Sequence, residues 1–279
     1  MSLTQFIAER DVKAALRKAF PFTGPPLEGE PIAPPLTRHY ALVGTAFDYL
    51  LRFSLQRTYT HAVAQPWIAE LATTLLYDEL EATYGTPIAA LTVQIVAEAK
   101  DRVARYMQDG EPSDALLWSA LLLAQIDPFV RMGRLHQPFG IVQQLDIQDL
   151  RQLLALVPRS ELSSQTVCLL NPSFGASALV QGADVDLILD DCMIDIKTTQ
   201  YLRVKREYVD QLLGYYLLYR LGGIAGAPEQ HAINSFGIYF ARHGRLYRFP
   251  VAQLVREEAL PEILHWFVRR ARLSYPQMF

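Results

Sequence analysis

Two aspartates and a lysine, Asp186, Asp195 and Lys197, stand close together in GADVDLILDDCMIDIKTTQ, residues 182–200. Side chains alternate across a β-strand. In the first half of this stretch Val185, Leu187 and Leu189 are expected on one face, and Asp184, Asp186 and Ile188 on the other. In the second half Ile194 and Ile196 oppose Asp195 and Lys197. Asp190-Asp191 supplies the turn between the two strands. Pairing them as a hairpin brings Asp186 near Asp195. Clustered carboxylates repel one another and are costly to desolvate, and a divalent cation removes that penalty. Mg²⁺ takes one or two carboxylates, several waters and a substrate phosphate. Lys197 shares the face of Asp195 and can reach a phosphate oxygen or an attacking water. A merely solvated face would carry Thr, Ser and more Lys; here the neighbours are Ile, Leu and Val.

A helix follows, REYVDQLLGYYLLYRLGG, ending at Gly222-Gly223. It sets Tyr208, Gln211 and Tyr215 at i, i+3 and i+7, on one side. A glutamine in so apolar a helix needs a partner. Before residue 160 the pattern is helical. Residues 3–19 read as an amphipathic helix, with Ser2 and Gln5 as a capping box. A proline-dense loop follows, from Pro21 to Pro35. From Ala41 to about Arg134 the pattern is helical: one helix begins with GTAFDYLLRFSLQR, Gly44 and Thr45 near its start, and others are expected over about 66–84, 88–107 and 113–126, with a short one around 146–156. After residue 160 the order is strand (QTVCLLNPS), strand (ALVQGADVDLILDD), strand (CMIDIKTTQ), helix, a hairpin turning at His243-Gly244, and a final helix over about 261–273.

The chain has 279 residues, enough for one large domain or two small ones. Hydrophobic residues make up 51% and charged residues 20%, as in a globular protein. A net charge of −3 advertises no global field for a polyanion, so any nucleic acid must be held by local basic patches or by metal. Cys168 and Cys192 form no CxxC pair, which excludes a zinc ribbon. They are expected as buried free thiols in a reducing cytoplasm. The longest uncharged apolar run, about 115–126, is too short for a bilayer, and charges at Glu9, Arg10 and Asp11 occupy the place of a signal peptide's apolar core, so neither membrane span nor export is expected. GxxxxGK[ST], GxSxG and HExxH are absent. The six histidines are scattered without ligand spacing.

G-A-D-V-D-L-I-L, then I-D-I-K-T-T, then Q-L-L-G-Y, taken in order, resemble the PD-(D/E)xK nuclease superfamily and within it the RecB-like branch. The resemblance is clear over about 165–220. It implies an α/β, restriction-endonuclease-like core with a mixed central sheet of 4–5 strands flanked by helices, over residues 159–279. A largely helical region, residues 1–158, precedes it, part of which could complete the core. By position, Asp186 and Asp195 match the metal-binding acids, Lys197 the catalytic lysine, and Gln211 and Tyr215 the helix motif that orients lysine, water or substrate. The Ile196 carbonyl would complete the metal shell. G-T-A-F-D-Y-L-L-R-F, residues 44–53, resembles the branch's G-T-x-x-H-x-x-L segment, with Asp48 in place of the histidine ligand. Asp48 and Arg52 are also spaced to pair along a helix. The family's proline before the first acid is Val185 here, and Asp184 is an equally placed acid.

The implied activity is Mg²⁺-dependent hydrolysis of DNA phosphodiesters, with Mn²⁺ as substitute and 5′-phosphate products. Arg203, Lys205 and Arg206, at the start of the motif helix, are expected to contact substrate phosphates. Arg242, His243, Arg245 and Arg248 form a second basic cluster; Arg269, Arg270 and Arg272 are expected on the surface. Two other classes fit the same residues. One is a catalytically inactive nuclease-fold subunit that binds nucleic acid or a protein partner through the helical half. The other is a metal-dependent hydrolase of nucleotides or other phosphate esters.

Overall fold

The computed structural model describes residues 3–275. The Ser2 half of the expected capping box lies outside the described residues. The segment read as one N-terminal helix is two, α1 (Leu3–Ala8) and α2 (Arg10–Ala19), parted at Glu9, whose backbone is extended. The Glu9 carboxylate is held there by an ion pair with Arg270. After the proline-dense loop come α3 (Tyr40–Thr58), the three-residue strand β1 (Ala62–Ala64), α4 (Ile68–Thr74), α5 (Tyr77–Tyr84), α6 (Thr86–Asp109), α7 (Asp114–Met132) and α8 (Gln144–Ala155). Then follow β2 (Cys168–Leu170), β3 (Leu187–Leu189), β4 (Cys192–Lys197), α9 (Arg206–Gly222), β5 (Ser235–Phe240), β6 (Arg245–Pro250) and α10 (Leu260–Ser274).

The six strands form one mixed sheet in the order β1-β2-β3-β4-β5-β6. Pairing is parallel for β1/β2 and β4/β5 and antiparallel elsewhere. The sheet therefore has six strands rather than the expected 4–5. The strand missed is β1, because three residues carry no detectable periodicity. The long strand expected over ALVQGADVDLILDD is mostly not a strand. Ser177–Val180 is a 3₁₀ turn, and positive φ at Gln181 (59°) and Gly182 (119°) redirects the chain before β3 begins.

Strand alternation divides the interior into two cores. Leu170, Leu187, Leu189, Cys192 and Ile194 face α3, α6, α7 and α8. Leu169, Ile188, Met193, Phe236 and Ile238 face α1, α2, α9 and α10. Val185 belongs to the second core, not with Leu187 and Leu189 as the alternation predicted, because residue 185 precedes the strand. From the first 158 residues, β1 extends the sheet while α1 and α2 pack on α9. Both cysteines are buried and free. Helix α7 is long and apolar enough to cross a membrane, yet 67% of that window is buried inside the fold, so it serves here as a core helix.

Candidate active site

The strand ends gather the acids. Leu187 pairs with Ile194 at the last rung of the β3/β4 ladder, so Asp186 and Asp195 come next: Asp195, two residues after Met193, lies on the face that α9 covers, while Asp186, just ahead of β3, lines the cavity toward α3 and α7. Asp190, at φ 49°, makes the tight return between these strands. Its carboxylate accepts the backbone N–H groups of Gln165, Thr166 and Val167, which ties the hairpin to the segment entering β2. At the open end of the ladder Asp186 Oδ2 accepts the Ile196 N–H at 2.6 Å. Asp195 is 1% exposed and ion-pairs with Lys197.

Helix α9 supplies what the spacing of Tyr208, Gln211 and Tyr215 suggested. Lys197 Nζ donates to Gln211 Oε1 at 3.1 Å, and Gln211 Nε2 donates to the Tyr215 hydroxyl at 2.8 Å. The Tyr208 ring lies 5.0 Å from the ammonium, and Tyr215 stacks on Phe174. Lys197 is thus fixed by an acid, an amide and an aromatic face.

Helix α3 closes the other side. Gly44 touches the chain just beyond Lys197: a Cβ there would sit 2.5 Å from Thr198 Oγ1. One turn on, Asp48 pairs with Arg52 Nη2 at 2.5 Å, as their i,i+4 spacing allowed. Asp48, Asp184 and Asp186 line one cavity of about 440 Å³ between α3, α7 and the strand ends. Two features of its wall had no local sequence signal. Arg131, from α7, pairs with Asp184 at 3.1 Å. Asp127, one turn earlier, accepts the Tyr49 hydroxyl at 2.6 Å.

The electrostatics follow from this crowding. Burial pushes the Asp186 carboxyl well above the usual carboxylate range, and the negative charges of Asp195 and Asp48 push it further. Burial also raises Asp195, against the pull of Lys197. It raises Asp48, against Arg52. Burial alone would lower the Lys197 ammonium, but Asp195 and Asp186 outweigh it and the net shift is upward. Asp127 is raised by burial to about 6. Several acids thus share one wall with insufficient compensation.

Hard oxygen donors in this setting fit a small divalent cation in kind. Asp48 Oδ1 is buried and accepts no hydrogen bond, which is the condition a cation would relieve. Among the described residues no three His, Cys, Asp or Glu side chains already stand as a ligand cluster, and Asp195 is turned to Lys197.

The expected substrate-binding residues divide. Arg203 and Lys205 line an open hollow beside the proline-dense loop. Arg206 is turned inward, to Asp210 and the Phe20 carbonyl, both at 2.7 Å. In the second basic cluster Arg242 is 1% exposed and bidentate to Asp149, and it donates further to the carbonyls of Ala33 and Thr198. Arg248 pairs with Asp191. No family model, curated protein or solved structure matches the chain.

Proposed function

We propose that the chain is a Mg²⁺- or Mn²⁺-dependent deoxyribonuclease of the PD-(D/E)xK superfamily, RecB-like branch, with a restriction-endonuclease-like core and a cytoplasmic site of action. One observation carries the reading. Asp195 and Lys197, at the end of β4, come together with Asp186, the residue just before β3, at one sheet end, and Lys197 is held there by the Gln211–Tyr215 chain.

Asp186, Asp195, Asp48 and the Ile196 carbonyl would hold the cation. When bound, it supplies polarisation of the scissile phosphate and a lowered pKa for a coordinated water. The chain's own residues do the rest. The negative charges of Asp195 and Asp186 favour the protonated, positively charged form of Lys197. That charge offsets the negative charge developing on the phosphate oxygens. Gln211 accepts one ammonium proton and so restricts the direction of the other two. Lys197, which can only donate, takes Gln211 Oε1 and so sets the flip state of the amide, leaving Nε2 to donate to the Tyr215 hydroxyl. Gln211 and Tyr215 are positioning residues in this scheme.

A second reading, a subunit of this fold that binds without turnover, is favoured by Arg52 and Arg131, which already neutralise Asp48 and Asp184. Incubation with single- and double-stranded DNA and Mn²⁺ separates the two. The hydrolase reading expects cleavage that disappears in Lys197→Ala. Intact DNA across metals, with tight metal-independent binding, would establish the second. Competition by small phosphate esters but not by DNA would redirect the activity to nucleotides.

A further inference from the structure

Beyond Leu170 the pairing of β2 with β3 continues by two hydrogen bonds. The Asn171 N–H donates to the Asp186 carbonyl at 2.9 Å, and the Val185 N–H donates to the Pro172 carbonyl at 3.1 Å. Asn171 is thereby fixed beside Asp186, on the side away from β4. Its φ of 55° lies in the left-handed region, which a residue other than glycine enters at a cost. At Asp190 the same backbone state has a visible use, because that carboxylate caps the N–H groups of Gln165, Thr166 and Val167. Asn171 has no such use. Among the described residues only its backbone is hydrogen-bonded, and its side-chain amide neither accepts nor donates. The residue is nonetheless only 6% exposed. It lines the cavity together with Asp48, Asp184 and Asp186, and neither of its amide atoms is sealed off. Strand alternation alone would carry residue 171 to the side of Leu169, under α9; the positive φ brings it to the α3 side instead. The same wall holds a second unbonded oxygen, Asp48 Oδ1.

Resting on the cation site of the hydrolase reading, we propose that Asn171 is a further ligand of that cation, giving its side-chain carbonyl oxygen from the strand on the far side of Asp186. A buried amide without a partner is costly, and an ion is one of the few things that accounts for it. Side-chain amide oxygens are hard, neutral donors of the kind that Mg²⁺ and Mn²⁺ accept. Neutrality matters at this position. The wall already carries several acids whose carboxyls burial and mutual repulsion push upward. A further carboxylate would add repulsion to the empty site, whereas an amide adds an oxygen and no charge. No hydrogen bond fixes the amide, so its oxygen is free to turn to the cation. Lys197 and Asn171 then stand on opposite sides of Asp186, one on β4 and one at the end of β2, which leaves the ammonium to the phosphate and the amide to the metal.

The test is calorimetric titration of the full chain with Mn²⁺ at pH 8, where protons compete least for the carboxylates, and without DNA, so that metal binding is read and not turnover. Asn171→Gly removes the amide and suits the left-handed backbone. Its thermal unfolding without metal should stay close to that of the parent, while its Mn²⁺ affinity falls by about 10-fold or more. Asn171→Asp keeps the shape, also tolerates this backbone and adds a charge. It should bind Mn²⁺ about 10-fold more tightly than the parent, because ligand charge tunes affinity. A glycine variant that binds Mn²⁺ as the parent does would make Asn171 a turn residue and overturn the proposal. An aspartate variant weakened like the glycine one would overturn it too, since the loss would then belong to the amide N–H groups, and so would a parent that takes up no Mn²⁺. DNA cleavage, parent against Lys197→Ala, reports on the hydrolase reading alone. Mn²⁺ affinities in the expected order with DNA left intact would keep Asn171 as a ligand in a subunit without turnover. Cleavage with Mn²⁺ affinities unmoved would keep the hydrolase reading and remove this ligand from it.

Discussion

Asp186 closes the open end of the β3/β4 hairpin by accepting the Ile196 N–H through its side chain, at 2.6 Å. One carboxylate oxygen thus does a backbone carbonyl's work, while the group as a whole faces the cavity that also holds Asp48. Structure and chemistry can be separated at this position. Asp186→Asn keeps an acceptor for Ile196 and relieves the repulsion from Asp195 and Asp48, so the variant should be at least as stable as the parent and lose DNA cleavage. Asp186→Ala strands a buried N–H and should cost about 1–3 kcal/mol. Urea unfolding of the two variants distinguishes these outcomes, and an Asn variant less stable than the Ala variant would contradict the geometry.

Lys197→Met leaves the Asp195 carboxylate buried without its cation. Removing one partner of such a pair costs about 3 kcal/mol. The deficit should depend on pH in a defined direction. Without Lys197 the folded-state pKa of Asp195 rises further above its unfolded value. The loss is then largest at neutral pH and shrinks as the pH falls and Asp195 takes up a proton. Asp195→Asn in the Lys197→Met background should recover most of the stability. A double-mutant cycle by chemical denaturation at pH 5 and pH 8 measures both effects.

Asp127 carries a separate pH signature. Burial raises its carboxyl from 3.8 to about 6. The folded protein therefore holds this proton over a range where the unfolded chain has released it. Its contribution to stability is complete below pH 3.8 and is lost as the pH rises through about 6, a change of about 3 kcal/mol. Asp127→Asn retains an acceptor for the Tyr49 hydroxyl and removes the titration. Between pH 4 and pH 7 the stability of the variant should fall less with rising pH than that of the parent, as read by thermal unfolding across buffers.

Gly44 is where α3 comes closest to the strand that bears Lys197. A methyl group there would meet Thr198 Oγ1 at 2.5 Å, so Gly44→Ala must displace either the helix or the segment after β4. The expected cost is about 1–3 kcal/mol. The same displacement would move Asp48 relative to Asp186, so metal affinity should fall as well. Thr198→Ala in the Gly44→Ala background removes the clash and should restore both. Calorimetric Mn²⁺ binding and thermal unfolding of the three variants provide the check.

How far the sequence reached depended on whether a signal was local. The Asp195–Lys197 face was legible because alternation within a six-residue strand is strong. The Lys197–Gln211–Tyr215 chain was legible because helical spacing puts Tyr208, Gln211 and Tyr215 on one side of α9. Asp48–Arg52 followed from i,i+4 spacing. Strand β1 escaped because it takes its conformation from pairing with β2, not from its own residues. Arg131 and Asp127 escaped because their partners, Asp184 and Tyr49, lie far away in sequence. Arg242 read as a free cation because its partner, Asp149, lies far away in sequence, whereas the Arg206–Asp210 pair has the i,i+4 spacing of Asp48–Arg52 and was overlooked.

The division of the interior into two cores has a kinetic corollary. Asp195 lies on the face that α9 covers, while Asp48 comes from α3, in the helix layer stacked on the opposite face, and Asp186 shares a cavity with it. Loosening of that outer layer, well before the strands separate, would open this cavity and, on the function proposed above, release a bound cation. Hydrogen-exchange protection of α3 amides, followed with and without Mn²⁺, would then report occupancy more sensitively than any probe of global melting.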